Sequence, residues 1–215
     1  MDHPSLSPDQ LSAVLAADST PADLYTLLTD YEEQACLIPT TSPAERELLV
    51  EFYTSFFFSH LITDQICEAR AVTRRIPREL LQTDSLQNCL ILLRAVWQSR
   101  HPEIYKILRE LPWPERTQPI VQRYESYFQE KTLKEISNSF EAIRITAAAT
   151  YLGLDPAAAA NGDPALIEKF TALGWKWDSE KGLLHPTPIV TAPPKNDSVQ
   201  NELSRVMALI SNQAS

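Results

Sequence analysis

Apolar positions recur at helical spacing through the first two thirds of the chain. Leu24, Leu27, Leu28 and Tyr31 share one helix face, and so do Leu49, Phe52, Phe56 and His60. Start signals punctuate this region. Ser7-Pro8-Asp9-Gln10, Thr20-Pro21-Ala22-Asp23 and Ser42-Pro43-Ala44-Glu45 each put a hydroxyl at the N-cap, proline at the first helical position, and an acid or amide at the third. The hydroxyl satisfies an orphan amide, and proline has no amide to lose. The first and third signals predict complete capping boxes; the second keeps the acid on a shorter side chain. Residues 52–58 are apolar on more than one side, which predicts a helix packed on two faces. Further helices are predicted at 64–74, 84–99, 103–111 and 116–139, with Leu86, Leu90, Leu93 and Trp97 forming one face of the second. Short helix pairs in succession, without a fixed sequence repeat, predict a helical-repeat (TPR-like) array over residues 1–140.

The pattern changes after residue 140. Residues 141–145 read as a short strand and residues 147–152 as a short helix stopped by Gly153. Asp155-Pro156 and Asp163-Pro164 open two more helices. Trp175-Lys176-Trp177-Asp178, a turn at 179–182, and Leu183-Leu184-His185 read as a hairpin. Strand, helix, helix, hairpin is the order of a winged-helix unit, here residues 141–190. Trp175 and Trp177 alternate along the first hairpin strand, so one ring should enter the core and the other face outward. Either hairpin strand, 176–178 or 183–185, is a candidate exposed edge for a partner's sheet. Residues 191–197, with Pro193 and Pro194, form a proline-rich linker. A final helix is predicted over 198–213, capped by Asp197. Val199, Leu203, Val206 and Ile210 recur at steps of four, three and four with Met207 beside them, a narrow seam for a bundle partner.

Composition narrows the function classes. The chain of 215 residues has only 4 glycines against 16 prolines, which disfavours nucleotide cradles and tight-hairpin all-β folds. Its net charge is −9, and the distribution is uneven: residues 1–60 hold ten acids and one base, Arg46, leaving 18 of each sign afterwards. An acidic first third and a neutral remainder suit neither nonspecific nucleic-acid binding nor a membrane surface. Cys36, Cys67 and Cys89 lie far apart in apolar runs, which predicts buried, reduced thiols. The acidic, polar N-terminus and the short apolar stretches predict a soluble intracellular protein.

No catalytic, cofactor-binding or metal-binding set emerges. His3, His60, His101 and His185 form no HxH or HExxH pattern, and no glycine motif or GxSxG elbow is present. His60 and Cys67 are seven residues apart, too far along a continuous helix for a thiolate–imidazole pair, so both are read as core residues. Arg70, Arg74, Arg75 and Arg78 form one cationic face. Glu68 and Glu79 flank it, which favours a solvated face or contacts to an acidic helix over a phosphate or RNA patch. The third helix of the winged unit offers only Lys169 against Asp163 and Glu168, so duplex nucleic acid is a disfavoured partner.

Ala69-Arg70, Arg74-Arg75-Ile76-Pro77, Trp97-Gln98, His101-Pro102, Ile104-Tyr105, Trp113 and Gln118-Pro119-Ile120 form a recognisable series. Tyr151-Leu152-Gly153-Leu154 and Gly174-Trp175 with Asp178 continue it. Over about residues 65–190 the chain resembles the PCI-class family of the eighth, smallest subunit of the constitutive photomorphogenesis 9 signalosome. Residues 1–60 are longer and more acidic than that pattern, and Asn161-Gly162-Asp163 resembles an insertion. The resemblance implies a PCI domain and a non-catalytic scaffold subunit, in the cytoplasm and nucleus, of a complex that removes the ubiquitin-like protein Nedd8 from cullins. It further implies that PCI subunits join through their winged helices, that the third subunit is the neighbour, and that terminal helices gather in a bundle. The small PCI subunit of the 26S proteasome lid and the k subunit of translation initiation factor three are the sister readings. A winged-helix regulator of nucleic acid is the further alternative.

Overall fold

The computed structural model describes residues 5–189. It is mainly helical, with ten α-helices and a small sheet among the described residues. The linker predicted at 191–197 and the helix predicted at 198–213 lie outside the described residues.

The three N-terminal start signals open α1 (Pro8–Ala16), α2 (Pro21–Leu37) and α3 (Pro43–Ile62). In each, the cap hydroxyl accepts the amide three residues on: Ser7 from Gln10, Thr20 from Asp23, and Ser42 from Glu45. Only α3 completes the box, with the Glu45 carboxylate accepting the Ser42 amide at 2.9 Å. In α1 the hydroxyl half alone is present. The Glu45 carboxyl is held below its ordinary range mainly by that Ser42 amide.

Every residue of α3 from Leu48 to Ile62 is buried, which exceeds the two packed faces expected from sequence. Helix α2, α4 (Ile66–Arg75), α5 (Asp84–Trp97) and α7 (Gln118–Ser139) all pack against it. Phe58 meets Trp113 at 5.1 Å and Tyr124 at 5.6 Å between ring centroids, and Phe56 lies 4.6 Å from the His60 ring. Several buried polar groups on this helix have partners, although Thr54 Oγ1 and His60 Nε2 have none among the described residues. Ser55 and Ser59 donate to the carbonyls of Glu51 and Phe56, and the buried Glu51 carboxylate accepts two bonds from Arg116, at 3.2 and 3.0 Å. One continuous apolar cluster, from Leu6 to Tyr124, surrounds α3.

A second cluster runs from Ile136 to Leu184. It is built by β1 (Ile143–Arg144), α8 (Ile145–Tyr151), α9 (Pro156–Ala160), α10 (Pro164–Ala172), β2 (Lys176–Asp178) and β3 (Leu183–His185). Asp155 and Asp163 cap α9 and α10 as their Asp-Pro pairs predict. The antiparallel sheet has the order β1-β3-β2, with Ile143 opposite Leu184 and Trp177 opposite Leu184 on the other side. Helix α7 spans both clusters, giving Ile120, Val121 and Tyr124 to the first and Ile136 to the second.

The clusters meet at α6 (His101–Glu110). Gly153 has φ +65°, and a Cβ there would lie 2.5 Å from the Tyr105 ring. Arg109 stacks over that ring at 5.0 Å, donates to the Gly153 carbonyl at 2.6 Å and pairs with Glu125. Gln129 donates to the Leu152 carbonyl at 2.9 Å. The joint is closely fitted and hydrogen-bonded.

Candidate partner-binding surface

The sheet among the described residues has the strand order β1-β3-β2 and so ends in open strand sides. β3 lies between β1 and β2, so residues 183–185 cannot serve as an edge, contrary to one of the two positions the hairpin pattern offers. A hairpin alone gives two edges; the return of residues 143–144 to β3 covers one of them. β2 keeps one strand neighbour among the described residues, and its outer side is the edge of usable length. The turn after it is fixed by Asp178, whose carboxylate accepts the amides of Glu180 and Lys181 at 3.0 and 3.2 Å. The Lys181 amide, ahead of the Glu180 amide, holds the Asp178 carboxyl below its ordinary value.

The two tryptophans of this segment do different things. Trp175 is 2% exposed, stacks on Phe170 at 5.2 Å and donates its indole N–H to the Ser137 hydroxyl at 3.1 Å. It is a core residue and offers no contact surface. Trp177 lies in β2, partly buried against the same cluster, with the remainder of its ring accessible. The backbone leaving β3 is held by Asn138, whose side chain accepts the Ile189 amide and donates to its carbonyl. Val199, Leu203, Val206, Met207 and Ile210 lie outside the described residues.

Elsewhere, among the described residues, no three His, Cys, Asp or Glu side chains converge as metal ligands, and no helix is long and apolar enough to cross a membrane. His60 is buried between Tyr25 and Phe56, its Nδ1 3.4 Å from Gln65, and burial lowers its pKa. Its supposed companion differs. Cys67 is exposed, since the buried positions of α4 are Ala69 and Val72, and it shares no helix with His60 because α3 ends at Ile62. Cys36 is exposed as well; only Cys89 is buried, and burial pushes its thiol up. The arginine face divides: Arg75 donates to Glu32 of acidic α2 at 2.7 Å, while Arg70 turns toward Trp97.

Trp97 is the residue that the sequence pattern misplaces. Leu86, Cys89, Leu92 and Ala95 are the buried row of α5, and Trp97 is 57% exposed. The polar run Gln98-Ser99-Arg100 after it was the available signal.

A model of the CSN8/PSMD8/EIF3K family matches residues 47–196. The chain belongs to that family. The match begins within α3, leaving α1 and α2 outside it. The COP9 signalosome complex subunit 8 of Emericella nidulans is 75% identical over 215 residues, all of both chains. The protein of the same name from Dictyostelium discoideum is 24% identical over 168 residues, covering 76% of this chain and 82% of that one. For a member of the CSN8/PSMD8/EIF3K family, the Arg70, Trp97 and Tyr105 segments that carry the sequence resemblance now have defined places, on α4, α5 and α6.

Proposed function

We propose that this chain is a non-catalytic scaffold subunit of the signalosome, the complex that removes Nedd8 from cullins and so regulates cullin-RING ubiquitin ligases. The observation that carries the reading is the full-length 75% identity to a protein named as subunit 8 of that complex. In this reading residues 1–140 form a TPR-like array and residues 141–190 a winged helix, together a PCI domain that works in the cytoplasm and nucleus. The one-sided pairing of β2 supports a junction in which a neighbouring PCI subunit, the third, adds a strand beside residues 176–178. Residues 198–213 join a helical bundle of several subunits through Val199, Leu203, Val206, Met207 and Ile210, tethered by the linker 191–197.

Purification of the tagged full chain from native extract tests the assembly. Signalosome subunits and cullins should co-purify; proteasomal ATPases or ribosomal subunits would instead move the chain to a sister branch of the family. Trp177→Ala should weaken retention of the neighbouring subunit while the unfolding temperature stays close to wild type. Unchanged retention would exclude the β2 edge as the junction.

A further inference from the structure

A groove separate from the sheet opens between α4 and α5. Leu90, Leu93 and Trp97 form its apolar wall, and Arg70, Arg94 and Gln98 complete a cavity of about 450 Å³, a size typical of recognition pockets. Leu90 and Leu93 are half-buried, whereas Trp97 is largely open and both arginines are exposed.

The charges are what select an occupant. Arg75, Arg100, Arg109 and Arg116 each meet a carboxylate, Glu32, Glu103, Glu125 and Glu51 in turn. Among the described residues, Arg70 and Arg94 have no carboxylate within ion-pair distance, a state shared by Arg46, Arg74, Arg78, Arg123 and Arg144, but these two line the apolar groove. The Arg70 guanidinium instead lies 6.0 Å from the centre of the Trp97 ring. A carboxylate arriving there would meet two cations beside an indole that excludes water from one side, which strengthens a charge-assisted bond. Apolar side chains of the same segment would cover Leu90, Leu93 and Trp97. Exposed tryptophan and arginine together are the residue types that dominate binding energy at protein interfaces.

We infer that this groove docks an acidic amphipathic segment of a partner protein, one carrying carboxylates beside aliphatic or aromatic side chains. Nucleic acid is the poorer match, since a polyanion tracks a continuous basic stripe and here two guanidinia converge on an apolar wall in a protein of net charge −9. The inference is independent of the β2 junction and of the identity of the assembly.

The test places a photo-crosslinker in the groove, Gln98→p-benzoylphenylalanine, in the full chain within native extract, and maps the adduct by mass spectrometry. The expected adduct is a peptide with at least two carboxylates interspersed among apolar residues. Its yield should fall at least fivefold when Arg70→Gln and Arg94→Gln are combined, and likewise with Trp97→Ala, at unchanged unfolding temperature. Four results would each overturn the inference: a neutral or basic peptide, a nucleic-acid adduct, a yield insensitive to loss of the two charges, or no adduct above that of the same crosslinker at exposed Glu110. A fall in yield that accompanies a lower unfolding temperature is resolved by Arg70→Lys with Arg94→Lys, which keeps the charge and should restore at least half of the adduct.

Discussion

The two apolar clusters solve the burial problem in opposite ways. The first wraps helices around a single helix whose fifteen consecutive residues, Leu48 to Ile62, are all buried. The second has three strands of two or three residues and three short helices, and is held by a few large side chains, chiefly Phe170 and Trp175. The first leaves no backbone edge on its central element. The second leaves β2 open. A core built around a helix satisfies its backbone internally, whereas a small sheet always ends in unpaired groups unless something covers them. The region suited to holding shape and the region suited to adding a partner are therefore different parts of one chain, joined along α7.

The sharpest way to break this contrast is Phe58→Ala. The side chain is fully buried against Trp113 and Tyr124, and its loss should cost about 3–5 kcal/mol. Calorimetry should show the first cluster unfolding at a lower temperature; a loss confined to the second cluster would contradict the central role of α3. Trp175→Ala should cost about 3 kcal/mol and also leaves the Ser137 hydroxyl without its indole donor. Hydrogen exchange should accelerate over 136–185 and stay near wild type over 43–75. Equal acceleration in both regions would mean that the two clusters are one cooperative unit.

The joint comes next. Gly153→Ala forces a side chain into the left-handed region and against the Tyr105 ring, at about 2 kcal/mol. Paired with Tyr105→Ala, the two losses should be clearly less than additive, because the second removes the ring that the new methyl meets. Additive losses in denaturant titrations would mean that the clusters touch without fitting.

The smallest effect is in pH. Burial holds His60 below its ordinary value of 6.5, so the unfolded chain takes up a proton that the folded chain refuses. Stability from this residue is complete above pH 6.5 and declines as the pH falls below it, until the folded pKa is passed. In His60→Phe the decline over pH 6.5 to 5 should be shallower in urea melts. An identical slope would place the titration elsewhere.

Much of this architecture was legible in the residues because it rests on local chemistry. Ser42-Pro43 starts α3, and Asp155-Pro156 and Asp163-Pro164 start α9 and α10, since a cap bond closes within three residues. Directions set by distant neighbours were less legible. Leu86, Leu90, Leu93 and Trp97 do share a helix face, yet the contacts of α5 with α3 select the row through Cys89 and Leu92 for burial. Cys36 and Cys67 occur in apolar runs but at positions turned to solvent. The central place of β3 depends on Ile143 returning to it across about forty residues, which no hairpin pattern contains. Of the candidate contact residues, Trp175 reads as strand from its neighbours and as core only once Phe170 and Ser137 are in place.

The total burial of α3 also sets a timetable for synthesis. Its last residue, Ile62, precedes Tyr124, which closes over Phe58, by roughly sixty positions. A ribosome adding about 5–20 residues each second takes about 3–12 s to deliver that cover. Through this interval four phenylalanines, Phe52, Phe56, Phe57 and Phe58, emerge without their eventual neighbours from α5 and α7. The nascent chain thus presents to the cell, for seconds, the most aromatic surface the finished protein hides.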